Sequence, residues 1–244
     1  MTTTTEATTE AGWPEQLTLP GQTAAHPGPI DMTMMYVMHH AFRRDLEAFA
    51  TAAGATPASD RKAWGAMARR WEIFSSALHH HHSGEDAGLW PALLDRADEE
   101  GRATLEAMEA EHSEIDPILE ACATGFARLA DHADEDVRAA LAVRLVAARE
   151  RLAEHLLHEE TEAIALIQAL LTVEEWEAIT KEHFDSGVTF KEILTLVPWV
   201  AHRLPESALR ELFSKPGGSV HRVMLLLTKR KFDRLQKAAF GDAA

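Results

Sequence analysis

Fourteen histidines occur in this chain of 244 residues, four of them consecutive at positions 79–82 and followed closely by Glu85 and Asp86. Imidazole and carboxylate are side chains that hold transition metals and move protons near neutral pH. A helix turns by about 100° per residue, so four consecutive side chains fan out instead of converging. The histidines that can act together are those sharing a face with the apolar stripe of their own helix.

Helical wheels select them. The segment from Met32 to Ala53 has a stripe of Met32, Met35, Phe42, Leu46, Phe49 and Ala53. His39 lies roughly 40° from its centre, whereas His40 falls roughly 140° away and faces outward. His112 sits inside the stripe Leu105, Met108, Ile115, Leu119, Cys122 and Phe126. His155 and Glu159 both fall in the stripe of Leu141, Leu145, Leu152, Ala163, Leu166 and Leu170, and His158 points away from it. Glu85 lies near the centre of the stripe Met67, Trp71, Phe74, Leu78, Leu89 and Ala92. His79 and His80 are far off that stripe. Angle alone leaves His81 and His82 open, at roughly 60° and 40° from the centre. Spacing favours His81, which precedes Glu85 by one helical turn as His155 precedes Glu159. The neighbours of His81 are then outward-facing or stand behind the ligands.

Four inward histidines and two inward glutamates result. A single inward histidine is commonly a hydrogen-bonded core residue, but an unpaired buried carboxylate is strongly disfavoured. Two of them repel unless cations lie between. Carboxylate and imidazole without thiolate suit iron or manganese and accommodate zinc. Two bridging carboxylates with four terminal histidines describe a dinuclear centre. A ferritin-like site needs two Glu-x-x-His motifs; only Glu109–His112 has that spacing.

The elements that must position these groups are helical. Apolar residues make up 46% of the chain, Ala and Leu are abundant, and no apolar run is long enough to span a membrane. The start lacks the basic end and apolar run of a signal peptide, and the one cysteine, Cys122, reads as a core residue and excludes a disulfide framework. A cytoplasmic protein is expected. The formal net charge of −15 argues against nucleic-acid or anionic-membrane binding. Residues 1–28 are Thr-, Gly- and Pro-rich and are expected to be disordered or loosely attached. Four long helices are expected at about 32–53, 57–97, 101–130 and 135–171. The second is open to interruption near "SGED" or Pro91, Pro117 should kink the third, and Asp134 caps the fourth. Short joins predict an all-α, up-down-up-down four-helix bundle over residues 29–171. Thr172 opens a capping box, and residues 172–244 read as an appendage of short helices punctuated by Pro198, Pro205 and glycines. From Lys215 on it has seven Lys or Arg against Asp233 and Asp242. That basic end suits packing on the acidic bundle or docking of an acidic protein partner.

The ordered set resembles the ligand signature of the hemerythrin-like family, in its bacterial His/Glu variety. It reads His39 in "MHHAFRRDL", His81 and Glu85 in "HHHHSGEDAGLWP", His112 in "EAEHSEIDP", and His155 and Glu159 in "EHLLHEETEAI". The resemblance covers about residues 30–171. It implies a four-helix bundle holding two iron ions, bridged by the two glutamates and an oxo or hydroxo group. Oxygen carriers of that family have a second histidine where this chain has Asp116, and an aspartate where it has Glu160. Asp116, Tyr36 and Glu111 are candidates for the vacant place; the angles of Asp116 and Tyr36, roughly 80–100° off their stripes, favour a place at the surface or behind the ligands, and Glu111, about 60° off, is within reach of a neighbouring histidine. Outward histidines such as His82 or His158 are candidates for proton transfer. One imidazole fewer leaves a position for oxygen, peroxide or nitric oxide. The implied functions are reaction with these oxidants, with catalase-like peroxide disproportionation as the expected turnover, or sensing, in which the metal state is read through the appendage.

Overall fold

A computed structural model describes residues 12–215 and 217–241, so the expectation for residues 1–11 lies outside it. The described residues contain helices and no strand. Helix α1 spans Thr33–Ala55 and α2 spans Arg61–Gly84. A π-turn at Glu85–Leu89 leads directly into α3, Trp90–Leu94. Helix α4 is Glu99–Asp131 and α5 is Glu135–His158. A second π-turn, Glu159–Ala163, continues α5 into α6, Ile164–Leu170.

Starts are set by side-chain caps. Asp60, Asp98 and Asp134 each accept a hydrogen bond from the backbone N–H three residues on. Pro91 falls in the first turn of α3, where no N–H is needed, so it does not break the helix. Pro117 lies within the unbroken span of α4. The interruption expected near "SGED" is therefore the π-turn. It inserts one extra residue into the helical path without ending it.

Helix α1 packs on α5, α5 on α4, and α4 on α2. Their apolar stripes meet in an aromatic core away from the histidines. Phe49 lies 5.0 Å from Trp71 and 5.4 Å from Phe126 between ring centroids. Such rings bury large apolar areas and dominate core energetics. Residues 12–32 form no helix but are tied down: the Gln16 side chain donates to Ile30 O, and Ile30 and Gln168 exchange hydrogen bonds of 2.8 and 3.0 Å.

Beyond Leu171 come α7 (Val173–Ile179), a third π-turn (Thr180–Phe184), α8 (Phe190–Ala201), α9 (Glu206–Ser214) and α10 (Gly218–Phe240). The capping box expected at Thr172 is present. Pro198, expected to punctuate, lies inside α8 instead. Its side chain is buried beside Trp199, so packing holds the helix through the missing N–H. Helix α10 packs along α2 and α8.

A buried ion cluster joins these parts. Asp45 of α1 accepts hydrogen bonds from Arg44, from Arg70 of α2 at 2.7 Å and from the Trp199 indole of α8 at 2.8 Å. Arg70 also donates to Gln236 of α10 at 2.9 Å. Burial alone would raise the Asp45 pKa, but Arg44, Arg70 and Trp199 hold it below the usual value.

Candidate metal centre

The two π-turns begin at the two inward glutamates. The Glu85 carbonyl accepts from the N–H of Trp90, and the Glu159 carbonyl from that of Ile164, each five residues on. Single π-turns inside α-helices are frequent at functional sites. Here they follow His81 and His155 by one turn, and both carboxylates are fully buried between the helices.

All six residues singled out in the sequence meet at this point. His39 Nε2 and His81 Nε2 lie 3.3 Å apart, and His112 Nε2 and His155 Nε2 lie 3.2 Å apart. Glu85 reaches both pairs, with Oε1 3.1 Å from His81 Nε2 and Oε2 3.6 Å from His112 Nε2. Glu159 Oε2 is 3.2 Å from His39 Nε2 and 3.8 Å from His155 Nε2. Two compact donor groups result: His39, His81 and Glu159 form one, and His82, His112 and His155 form the other.

His82 is the residue that the spacing argument, in choosing His81, set outside the cluster. It is buried, and its ring stacks on His112 with centroids 3.8 Å apart and planes 7° from parallel. His81 and His82 lie about 100° apart round α2, one on each side of the stripe centre. Each therefore serves a different donor group, and the wheel posed as alternatives two side chains that both face in. With His82 the cluster has five imidazoles, so the place left by Asp116 is not short of one. Asp116 itself is exposed on α4. His79 is exposed, and His80 is half-buried and donates to Phe184 O at 2.6 Å.

Carboxylates outside the cluster fix three of the rings. His39 Nδ1–H donates to Glu160 at 2.9 Å, His112 Nδ1–H to Asp86 at 2.7 Å and His155 Nδ1–H to Glu111 at 2.8 Å. Each bond leaves the Nε2 lone pair aimed at the cluster. This carboxylate–imidazole arrangement orients metal-bound histidines and raises their basicity. Glu160 is itself held by both guanidinium nitrogens of Arg43, at 2.7 and 2.9 Å, and by the Thr23 N–H at 2.7 Å. It points away from the cluster. Glu111 likewise joins His155 to His158, whose Nδ1–H donates to it at 2.8 Å. Glu111, about 60° off its stripe, was expected to reach a neighbouring histidine and does so; the role of Glu160 was not legible in wheel angles.

The electrostatics of the bare cluster are unbalanced. Burial and the neighbouring Glu159 push the Glu85 pKa well above the carboxylate range. Burial opposes ionisation of Glu159 too, but His39, His155 and His81 outweigh it and hold that pKa below the usual value. Burial and the surrounding histidines hold His82 well below the imidazole value. Neither oxygen of Glu85 or Glu159, and neither ring nitrogen of His82, has a hydrogen-bond partner. These six buried polar atoms without partners, in residues that meet in one cluster, fit cations placed among them. Tyr36 is buried nearby, and its hydroxyl makes no hydrogen bond of good geometry. Burial, then the charges of Glu160 and Glu159, push its pKa to about 12, so it stays protonated.

Compared with known families, residues 31–167 match the Hemerythrin HHE cation binding domain. That stretch contains all seven cluster side chains and stops before the C-terminal helices. No curated protein and no solved structure matches the chain.

Proposed function

Because the chain belongs to the hemerythrin HHE cation-binding family, we propose that it holds two iron ions and uses them on small oxidants. An up-down-up-down four-helix bundle suits the packing of α1, α2, α4 and α5. His39, His81 and Glu159 would hold one iron and His82, His112 and His155 the other, with Glu85 and Glu159 between them. The observation that carries this reading is the set of unpartnered oxygens and nitrogens of Glu85, Glu159 and His82. The donor set has no thiolate and suits iron. Bound iron supplies redox electrons and Lewis acidity toward oxygen, peroxide or nitric oxide.

The chain supplies the rest. Glu160, Asp86 and Glu111 hold the protons of His39, His112 and His155 at Nδ1 and keep each Nε2 free. Buried Phe42, Leu78 and Trp90 help exclude water. Glu111 and His158 offer a proton route from His155 to the surface, since His158 Nε2 lies 3.4 Å from the half-exposed Glu162.

The test is reconstitution with ferrous iron without air. Uptake of about two irons per chain is expected, followed on air exposure by an oxidised, oxo-bridged spectrum. Peroxide consumption should be measurable and disappear in Glu85→Ala and Glu159→Ala. One zinc per chain with no iron uptake would defeat the reading. A stable adduct releasing oxygen under vacuum, without peroxide turnover, would make the protein an oxygen store.

A second reading is favoured by one contact: Phe184, beyond the matched region, packs against His81 with centroids 6.2 Å apart. The metal state would then be read through the C-terminal helices. Helix α10 exposes Val220, Val223, Leu226 and Leu227 beside Arg222, Lys229, Arg230 and Lys231, a face suited to an acidic protein partner. Redox-dependent protease sensitivity within residues 172–244 would support it.

A further inference from the structure

Glu85 is flanked on its π-turn by Gly84 and Gly88, and both are buried. A Cβ on Gly84 would stand 2.8–3.0 Å from three carbons of the Phe184 ring. One on Gly88 would overlap the imidazole of His183. Two adjacent side chains of the C-terminal segment thus rest on bare backbone at the two ends of one turn. They belong to a π-turn themselves, closed by Asp185 N–H donating to Thr180 O at 2.9 Å. His80, one of the two histidines of the run that do not enter the cluster, anchors them by donating to Phe184 O.

His183 and Phe184 are only half-buried, whereas Glu85, Gly84, Gly88 and His81 beneath them are buried. The layer between solvent and this edge of the cluster is therefore about one side chain thick at the contact. Residues 185–187 beyond it are exposed. Nothing in the pairing of His81 with Glu85 requires glycine on both sides of the carboxylate. The close approach of another segment does, because any side chain at these positions collides with it.

We propose that the Thr180–Phe184 turn is a fitted cover over the metal centre, with Phe184 and His183 seated on Gly84 and Gly88 as the residues that set which molecules enter. Small oxidants pass and bulkier reagents do not. What passes rests on the di-iron reading; the seating of the cover does not.

The test reads access to His81 directly. Metal-free wild type, Phe184→Ala, Gly88→Ala and Phe190→Ala would be treated with diethyl pyrocarbonate, and labelled histidines quantified by peptide mass spectrometry. His79, which is exposed, serves as the internal standard. His81 should be protected in wild type and in Phe190→Ala, whose altered side chain is exposed elsewhere on the same segment. Labelling of His81 should rise about ten-fold or more in Phe184→Ala and Gly88→Ala, because protection is lost where local packing is lost. Gly88→Ala perturbs the contact from the bundle side, so it tests the same seat should Phe184→Ala fail to fold. In iron-loaded protein the two variants should also lose iron faster to a bulky bipyridyl-type chelator, while azide binds all forms alike. Unchanged His81 labelling in both variants, or an equal rise in Phe190→Ala, overturns the cover. Failure of wild type to take up iron would overturn the di-iron reading alone, since the labelling is done without metal.

Discussion

Replacing His82 by leucine should stabilise or leave unchanged the metal-free protein and weaken the metal-loaded one, a reversal of sign that no ordinary core residue gives. Both ring nitrogens of His82 are buried without partners. An unsatisfied buried polar group costs about 1–3 kcal/mol. Leucine removes that cost and forfeits the stack on His112, worth about 0.5–1.5 kcal/mol. The metal-free variant should therefore lie between about 0.5 kcal/mol less and about 2.5 kcal/mol more stable than wild type, centred on a gain of about 1 kcal/mol. With iron bound the ring is a ligand. Losing merely an outer hydrogen-bonding partner of a ligand costs about 10–100-fold in affinity, so losing the ring should cost at least about 1.4–2.8 kcal/mol of metal-dependent stability. Thermal unfolding followed by circular dichroism, at fixed protein and iron concentrations, reads both arms. In a chain of this size about 1 kcal/mol moves Tm by 2–4 °C. Equal lowering of Tm with and without iron would refute the reasoning and make His82 a packing residue.

Other outcomes follow from neighbouring groups. Glu160→Ala should weaken iron binding about 10–100-fold in a chelator competition, because His39 loses the acceptor of its Nδ1 proton; Asp116→Ala should not weaken it. Tyr36→Phe should retain full iron content and equal or greater stability, since its hydroxyl has no hydrogen-bond partner; loss of a tyrosinate-to-iron absorption band in this variant would show that Tyr36 binds metal. Asp45→Asn should destabilise the chain by about 3–5 kcal/mol in denaturant titrations by leaving Arg70 buried beside a neutral group. The Asp45 pKa is lowered in the folded state. Its contribution is thus present above the unfolded carboxylate value and lost as pH falls through the folded one. Wild type should lose that stability in acid, and Asp45→Asn should show a shallower acid dependence.

The cluster was legible because a buried carboxylate leaves a sign in helical periodicity. Glu85 and Glu159 fall in stripes of Leu, Met and aromatic residues, where only a cation or a strong partner excuses them. The ordered His and Glu spacing added the family, and capping residues such as Asp134 and Thr172 marked helix starts. The π-turns were not legible, since "GEDAGLWP" and "HEETEAI" fit an α-helix as well, and the extra residue is set by tertiary contacts. His82, left open by angle, was missed because the i, i+4 spacing from Glu85 was used to choose one histidine, whereas two donor groups flank the stripe centre and take one each. Glu111 was read as within reach of a histidine, whereas Glu160 and Asp86 act through side-chain length, which period does not report. The pairing of His183 and Phe184 with Gly88 and Gly84 joins segments about a hundred residues apart and leaves no local sign.

The C-terminal segment holds α2 at two places: Gln236 of α10 meets Arg70 near its middle, and the Thr180–Phe184 turn meets its last residue, Gly84, and Gly88 just beyond it. The separation of Arg70 and Gly88 along the helical path is about 27 Å. Helix α10 packs on α2 around Arg70, so α2 is braced at two points along its length. Local opening follows the least sheltered backbone first. The amides on the buried face of α2, around Arg70, Trp71 and Phe74, should exchange for deuterium more slowly than those on its outer face, where Glu72, Ser76 and His79 are exposed. Helix α5 has no such splint and leaves Val143 and Leu157 in water. It should open first, so that the two halves of the ligand set would part company from the α5 side.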